Sequence, residues 1–122
     1  MKLHLANLGD TKMFTGHDAD SVSVNRVRYD RNIVVNAHEV REDWSVKDFD
    51  ALDENHFKYF LAFQPDVILI GTGKQQRFSH PKLYRALTDK GIGVEFMDTP
   101  AACRTYNILV AEDRNVVAAI ML

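Results

Sequence analysis

Pro65-Asp66-Val67-Ile68-Leu69-Ile70-Gly71-Thr72-Gly73 reads as a strand that empties into a tight glycine loop. Val67 to Ile70 is an unbroken apolar run of β-branched and leucine side chains. Such a run suits a strand buried on both faces, as in a parallel sheet covered by helices. Pro65 has no N–H to give to a ladder and belongs at the strand's start. Gly71 and Gly73 are expected to allow positive φ and close backbone approach. Ligands of open α/β sheets bind beyond the carboxyl ends of strands. The segment from Thr72 to Arg77 is therefore the first candidate site.

Downstream, Ser79 to Gly91 carries a helix pattern, with Pro81 near its start, Gly91 after its end and an apolar stripe of Leu83, Tyr84 and Leu87. Val94 to Met97 reads as a second buried strand. Thr99 is expected to cap the last helix, with Pro100 at its first position, running to Ala111 or Glu112. Val116 to Met121 is a third buried strand. The second half is thus β-α-β-α-β, the length of two crossover units.

Upstream, residues 1–20 show little periodicity. Leu3, Leu5 and Leu8 are expected to pack, and Met13, Phe14 and Gly16-His17-Asp18 read as loop. Ser21 to Tyr29 alternates until Val27, which predicts a bulge or bend near Asn25-Arg26. Asp30-Arg31-Asn32 is a turn. Ile33 to Asn36 and His38 to Arg41 continue an antiparallel meander. Trp44 is expected to be a lid over it. Ser45 to Asp48 resembles a capping box ahead of a turn around Phe49 and Leu52. Asp53 to Phe63 reads as a helix capped by Asp53 and ended by Gln64-Pro65. The expectation is one α/β domain over 1–122, with no repeat and no linker.

The chain has 122 residues, with 46% hydrophobic and 26% charged, which is ordinary for a globular domain that needs no disulfide or metal. One cysteine excludes an internal disulfide framework and a cysteine-cluster zinc site. The net charge is −2, and Arg26, Arg28 and Arg31 are interrupted by Asp30, so nucleic-acid binding is not expected. No stretch approaches the roughly 20 apolar residues of a membrane helix. The first residues lack a signal core or an Arg/Ser-rich transit pattern, which leads us to expect a soluble cytoplasmic protein without membrane insertion.

If the first two strands of the second half are neighbours, the loops 71–77 and 98–100 meet. Two helix N-termini would then aim free N–H groups into a concavity suited to a small anion, reinforced by Lys74, Arg77 and Arg104. Ordinary solvated surface is the competing reading. A phosphate-binding P-loop fails, because Gln75 stands where Ser or Thr is required and Ile68 where the first glycine belongs. A dinucleotide fingerprint fails at Gln76. No nucleotide cofactor is expected. Cys103 lies in the first turns of the last helix. It is either a thiol activated by the positive helix end or a small core residue. An activated thiol would also need a base, for which His17, His38, His56 and His80 are the candidates, and their spacing selects none of them. The five histidines show no metal-ligand spacing, and no metal is expected. Thr105, Tyr106 and Asn107 are polar residues in mid-helix. Each either bonds backbone or faces a ligand, with the Tyr106 hydroxyl at a pocket edge.

The loop Gly71-Thr72-Gly73, with Gly91-Ile92-Gly93-Val94-Glu95-Phe96-Met97 and Asp98-Thr99-Pro100-Ala101-Ala102-Cys103-Arg104-Thr105-Tyr106-Asn107-Ile108-Leu109, resembles a small α/β family. Its mitochondrial members are the NADH dehydrogenase (complex I) assembly factor three proteins, and the likeness covers about residues 20–122. The resemblance implies a three-layer fold around a central mixed sheet, and no cofactor or established enzymatic activity. The motif positions carried over are Gly71, Thr72, Gly73, Thr99, Ala102, Thr105, Tyr106 and Asn107, with no catalytic role. Two expectations follow. The first is a non-catalytic binding or assembly-accessory protein with a protein partner, exposing an apolar patch near Trp44 or Phe78. The second is a small anionic ligand site, enzymatic or not, at the junction of 71–77 with 98–107.

Overall fold

A computed structural model describes residues 9–122. Leu3, Leu5 and Leu8 lie outside the described residues. In chain order the strands are β1 (Phe14–His17), β2 (Val22–Val24), β3 (Val27–Tyr29), β4 (Ile33–Val35), β5 (Val40–Arg41), β6 (Val67–Thr72), β7 (Gly93–Met97) and β8 (Val116–Met121). The helices are α1 (Glu54–Lys58), α2 (Arg85–Thr88) and α3 (Thr99–Ala111). Single 3-10 turns cover Phe49–Ala51, Tyr59–Phe63 and Pro81–Tyr84.

The main sheet has the order β5-β4-β8-β6-β7. β6 runs parallel to both β7 and β8, whereas β4 is antiparallel to β8 and β5. The sheet is therefore mixed. All six residues of β8 are buried, as its continuous apolar run requires. Alternate side chains serve opposite layers. Val117, Ala119 and Met121 face a layer of Trp44, Phe57, Phe60, Leu87 and Phe96. Val116, Ala118 and Ile120 face α3 and the small sheet β1-β2-β3. The chain leaves β6 for β7 on one side and returns past it to β8 on the other. Right-handed crossovers then put α2 and α3 on opposite faces.

Several expectations change. Phe14 to His17 is a strand, pairing antiparallel with β2, and not a loop. Only Phe14 of its four residues is buried, so it carries no readable alternation. Asn25-Arg26 is the two-residue turn of the β2–β3 hairpin, with φ 48° and 70°, and not a bulge within one strand. Positive φ at both positions is the turn geometry that follows strand twist. Asn25 fits it because its side-chain oxygen accepts from the Met13 N–H. β3 and β4 lie in different sheets, so the meander divides at Asp30-Arg31-Asn32. Trp44 packs on Phe60 in the helical layer and donates its indole N–H to the His56 carbonyl. It is buried in the core, and covers the main sheet and not the hairpin. The turn at Phe49 is capped by Asp48, whose carboxylate accepts from the Ala51 N–H, and not by Ser45. Asp53 caps α1 as expected. β7 is an outer, half-buried strand. Its Phe96 carbonyl, facing away from β6, accepts from the Gln76 side-chain amide.

Gly73 has φ 88°, but Gly71 does not have a positive φ. Gly71 is required for space. A Cβ there would lie 3.0 Å from Thr99 Oγ1, 3.0 Å from Ile120 Cδ1 and 3.3 Å from the Ala102 Cβ. Gly71→Ala is therefore expected to push α3 off the sheet and cost about 1–3 kcal/mol in urea unfolding. Gly93→Ala, whose Cβ would meet nothing closer than 3.4 Å, is expected to leave stability unchanged or to raise it by about 0.5 kcal/mol.

Candidate functional site

The two loops predicted to meet do meet, and Thr99 joins them. Its hydroxyl donates to the Met121 carbonyl at 2.7 Å and accepts from the Gly73 N–H at 2.9 Å. Its own N–H donates to the Gly73 carbonyl at 2.8 Å. Thr99 is thus the first residue of α3 and not its cap. The cap is Asp98, whose carboxylate accepts from the Ala101 N–H. Pro100 follows at the second helical position.

This geometry removes the free donors of the expected anion cradle. The Thr99, Ala101 and Ala102 N–H groups bond to Gly73, the Asp98 side chain and the Asp98 carbonyl. Pro100 has no N–H. The Pro81–Tyr84 turn is capped instead by His80, whose Nδ1 accepts from the Lys82 N–H.

Each predicted residue has a definite place. Thr72 is buried, donates to the Gln75 carbonyl and accepts from the Arg77 N–H, folding the loop on itself. Arg77 pairs with Asp50 and stands 4.5 Å from the centre of the Phe49 ring, so its charge is directed to the 49–51 turn. Arg104 is exposed on α3. Lys74 stands beside Gly73 at the carboxyl end of β6 and has no polar partner among the described residues. Ala102 is buried against Gly71. Thr105 is half-buried on α3.

Tyr106 and Asn107 face β1, away from the loop junction. The Tyr106 hydroxyl donates to the Lys12 carbonyl at 2.8 Å, and its ring meets Phe14 edge to face at 5.2 Å. It is fully buried and not at a pocket edge, and burial raises its phenol pKa. The Asn107 amide accepts from the Phe14 N–H at 2.9 Å and donates to the Phe14 carbonyl at 2.8 Å. It pairs with β1 as a neighbouring strand would, and so fastens the small sheet to α3. Cys103 is 3% exposed, and burial pushes its thiol from 9.0 up to about 12, with Arg104 opposing weakly. The core reading of Cys103 holds, and the helix end does not activate it.

Beside Lys74 lies a concavity of about 450 Å³, between the β1–β2 turn and the carboxyl ends of β6 and β8. Gly73, Lys74 and Thr99 of the predicted set line it, joined by His17, Asp18, Ala19, Pro100, Met121 and Leu122. The sequence pointed to the β6 end. It held no sign that the 17–19 turn would close the other side, because that placement depends on Asn107. Among the described residues no group of three or more His, Cys, Asp or Glu is placed to hold a metal ion. None of the described helices is long and apolar enough to cross a membrane.

The fold and this junction define a small mixed-sheet α/β protein of three layers. Residues 14–121 match the family described as "Protein of unknown function (DUF498/DUF598)", and the chain belongs to that family. It is 35% identical over 89 residues to a 13 kDa major membrane protein of Francisella tularensis, covering 72% of each chain. It is 35% identical over 80 residues to NADH dehydrogenase [ubiquinone] 1 alpha subcomplex assembly factor 3 of Mus musculus, covering 64% of this chain and 43% of that one. The chain thus spans less than half the length of that assembly factor. A crystal structure of a Bordetella parapertussis protein superposes with a TM-score of 0.85 at 35% identity, over 91% of this chain and 95% of that one. The family resemblance read from the motif is thereby shown.

Two outcomes are expected. Asn107→Ala leaves the Phe14 N–H and carbonyl unpaired, costs about 1–3 kcal/mol and speeds hydrogen exchange across β1 and β2 before the main sheet. The second outcome concerns pH. The folded-state pKa values of Cys103 and Tyr106 lie above their ordinary values, so folding favours the protonated forms. Their contribution is complete below about pH 9 and is lost as pH rises toward the folded values. Urea midpoints measured between about pH 8 and about pH 11 should fall, and Cys103→Ala should flatten the first part of that fall.

Proposed function

We propose that this chain is a non-catalytic binding protein that serves the assembly of a respiratory membrane complex. The observation that carries this reading is the engagement of the family motif inside the fold. Thr99, Tyr106 and Asn107 all bond the chain's own backbone. The motif then preserves a shape, and recognition falls to the surface. The relatives named for complex I assembly support the kind of partner. In this reading residues 1–122 act as one domain in the cytoplasm, and the bonding of α3 to β1 and to the ends of β6 and β8 supports a single unit.

Phe78 is the aromatic side chain this role would use. It is 69% exposed, and its ring lies 6.0 Å from that of Phe96 on the outermost strand β7. Exposed aromatics next to a packed ring are frequent binding anchors. The other apolar patch considered, at Trp44, is unavailable because that residue is buried. Native lysate passed over the immobilised protein and probed for subunits of the respiratory NADH dehydrogenase provides the test. The wild type is expected to retain them. Phe78→Glu is expected to lose them while its unfolding free energy stays within about 0.5 kcal/mol of wild type. Equal retention by the variant, or none by the wild type, would sink this reading.

A further inference from the structure

We propose that the concavity between the β1–β2 turn and the ends of β6 and β8 binds a small aliphatic monocarboxylic acid, with its chain against Pro100 and Leu122 and its carboxylate on Lys74. This goes beyond the protein-binding reading and does not depend on it.

The volume, about 450 Å³, is that of a small-molecule site. Its floor is apolar, from Pro100 and Leu122, with Ala19 on the facing turn. An apolar floor favours a hydrocarbon body. The charged end is selected by what stands at the mouth. The helix N–H groups are already bonded, so they offer an anion nothing. Lys74 is the cation at the loop, and no polar group among the described residues engages it. Asp18 lies on the opposite wall, and its carboxylate is held by the Asp20 N–H and the Ser21 hydroxyl at 2.9 Å each. One exposed cation facing one fixed anion suits a ligand with a single negative charge. It disfavours phosphates, which seek several donors together.

The test uses octanoate, octanol and octylamine with the intact protein, followed by amide chemical shifts and calorimetry. Octanoate is expected to bind saturably, shifting residues 17–19, 73–74 and 121–122, about tenfold more tightly than octanol. Octylamine is expected to bind more weakly than either. Lys74→Met is expected to bring octanoate down to the octanol level. Ala19→Phe, a change at an exposed turn position, is expected to weaken both by filling the space. Unfolding midpoints of both variants without ligand confirm that they fold. Equal binding of octanoate and octanol by the wild type would overturn the proposal. So would octanoate binding that Ala19→Phe leaves unchanged, or no binding by any of the three. Sedimentation of the wild type with phosphatidylglycerol vesicles, abolished in Ala19→Phe, would assign the chain to a membrane lipid and overturn the free-acid reading.

Discussion

A single threonine hydroxyl holds the carboxyl ends of the two central parallel strands together. Thr99 gives its proton to Met121 at the end of β8 and takes one from Gly73 just beyond β6. Met121 is the last paired residue of β8 and Gly73 lies just past β6, where a buried N–H or carbonyl without a partner would cost about 1–3 kcal/mol. The hydroxyl can serve them because α3 starts directly over β6. That start is possible because Gly71 leaves the necessary room. The first turn of the helix, the glycine and the two strand ends are therefore one arrangement, and no member of it is independently variable.

The same helix carries the second sheet. Tyr106 and Asn107 are two turns further along α3 and reach the backbone of residues 12 and 14. The small sheet contributes Phe14, Val22 and Val24 to the core on that side. The polar residues of the D-T-P-x-A-C-x-T-Y-N pattern thus include fasteners two turns apart on one helix, for two different sheets. This accounts for polar residues at mid-helix positions that helix propensity disfavours. The motif marks how the scaffold is built, and the surfaces open to partners lie beside it.

What could be read from the sequence follows from how local each feature is. β6 and β8 were legible because strands covered on both faces need unbroken apolar runs. The Asp53 cap was legible because its partner is three residues away. The start of α3 was placed one residue late. Asp98 and Thr99 are both good caps, and what separates them is the bonding of Thr99 to Gly73 and Met121, which only the folded sheet supplies. β1 was missed because three of its four residues are exposed and its anchor is Asn107. A bulge or bend at Asn25-Arg26 was legible from the phase of Val27; that it is a hairpin turn was not, because its positive φ values fall on two residues, neither of them glycine. For the site, the loop after β6 was found from strand logic. The amide donors expected there are bonded within the fold, which depends on Asp98 and Gly73 together.

The bond between Asn107 and Phe14 spans 93 residues of chain. Synthesis proceeds from the N-terminus, so Phe14 emerges long before its partner. During that interval the β1–β3 hairpins have no helix to cover Phe14, Val22 and Val24, and a small isolated sheet is marginal in water. The nascent chain must therefore carry an unshielded apolar hairpin until most of its length has been made. The β1–β3 segment is translated well before α3 and is among the last to reach its final place.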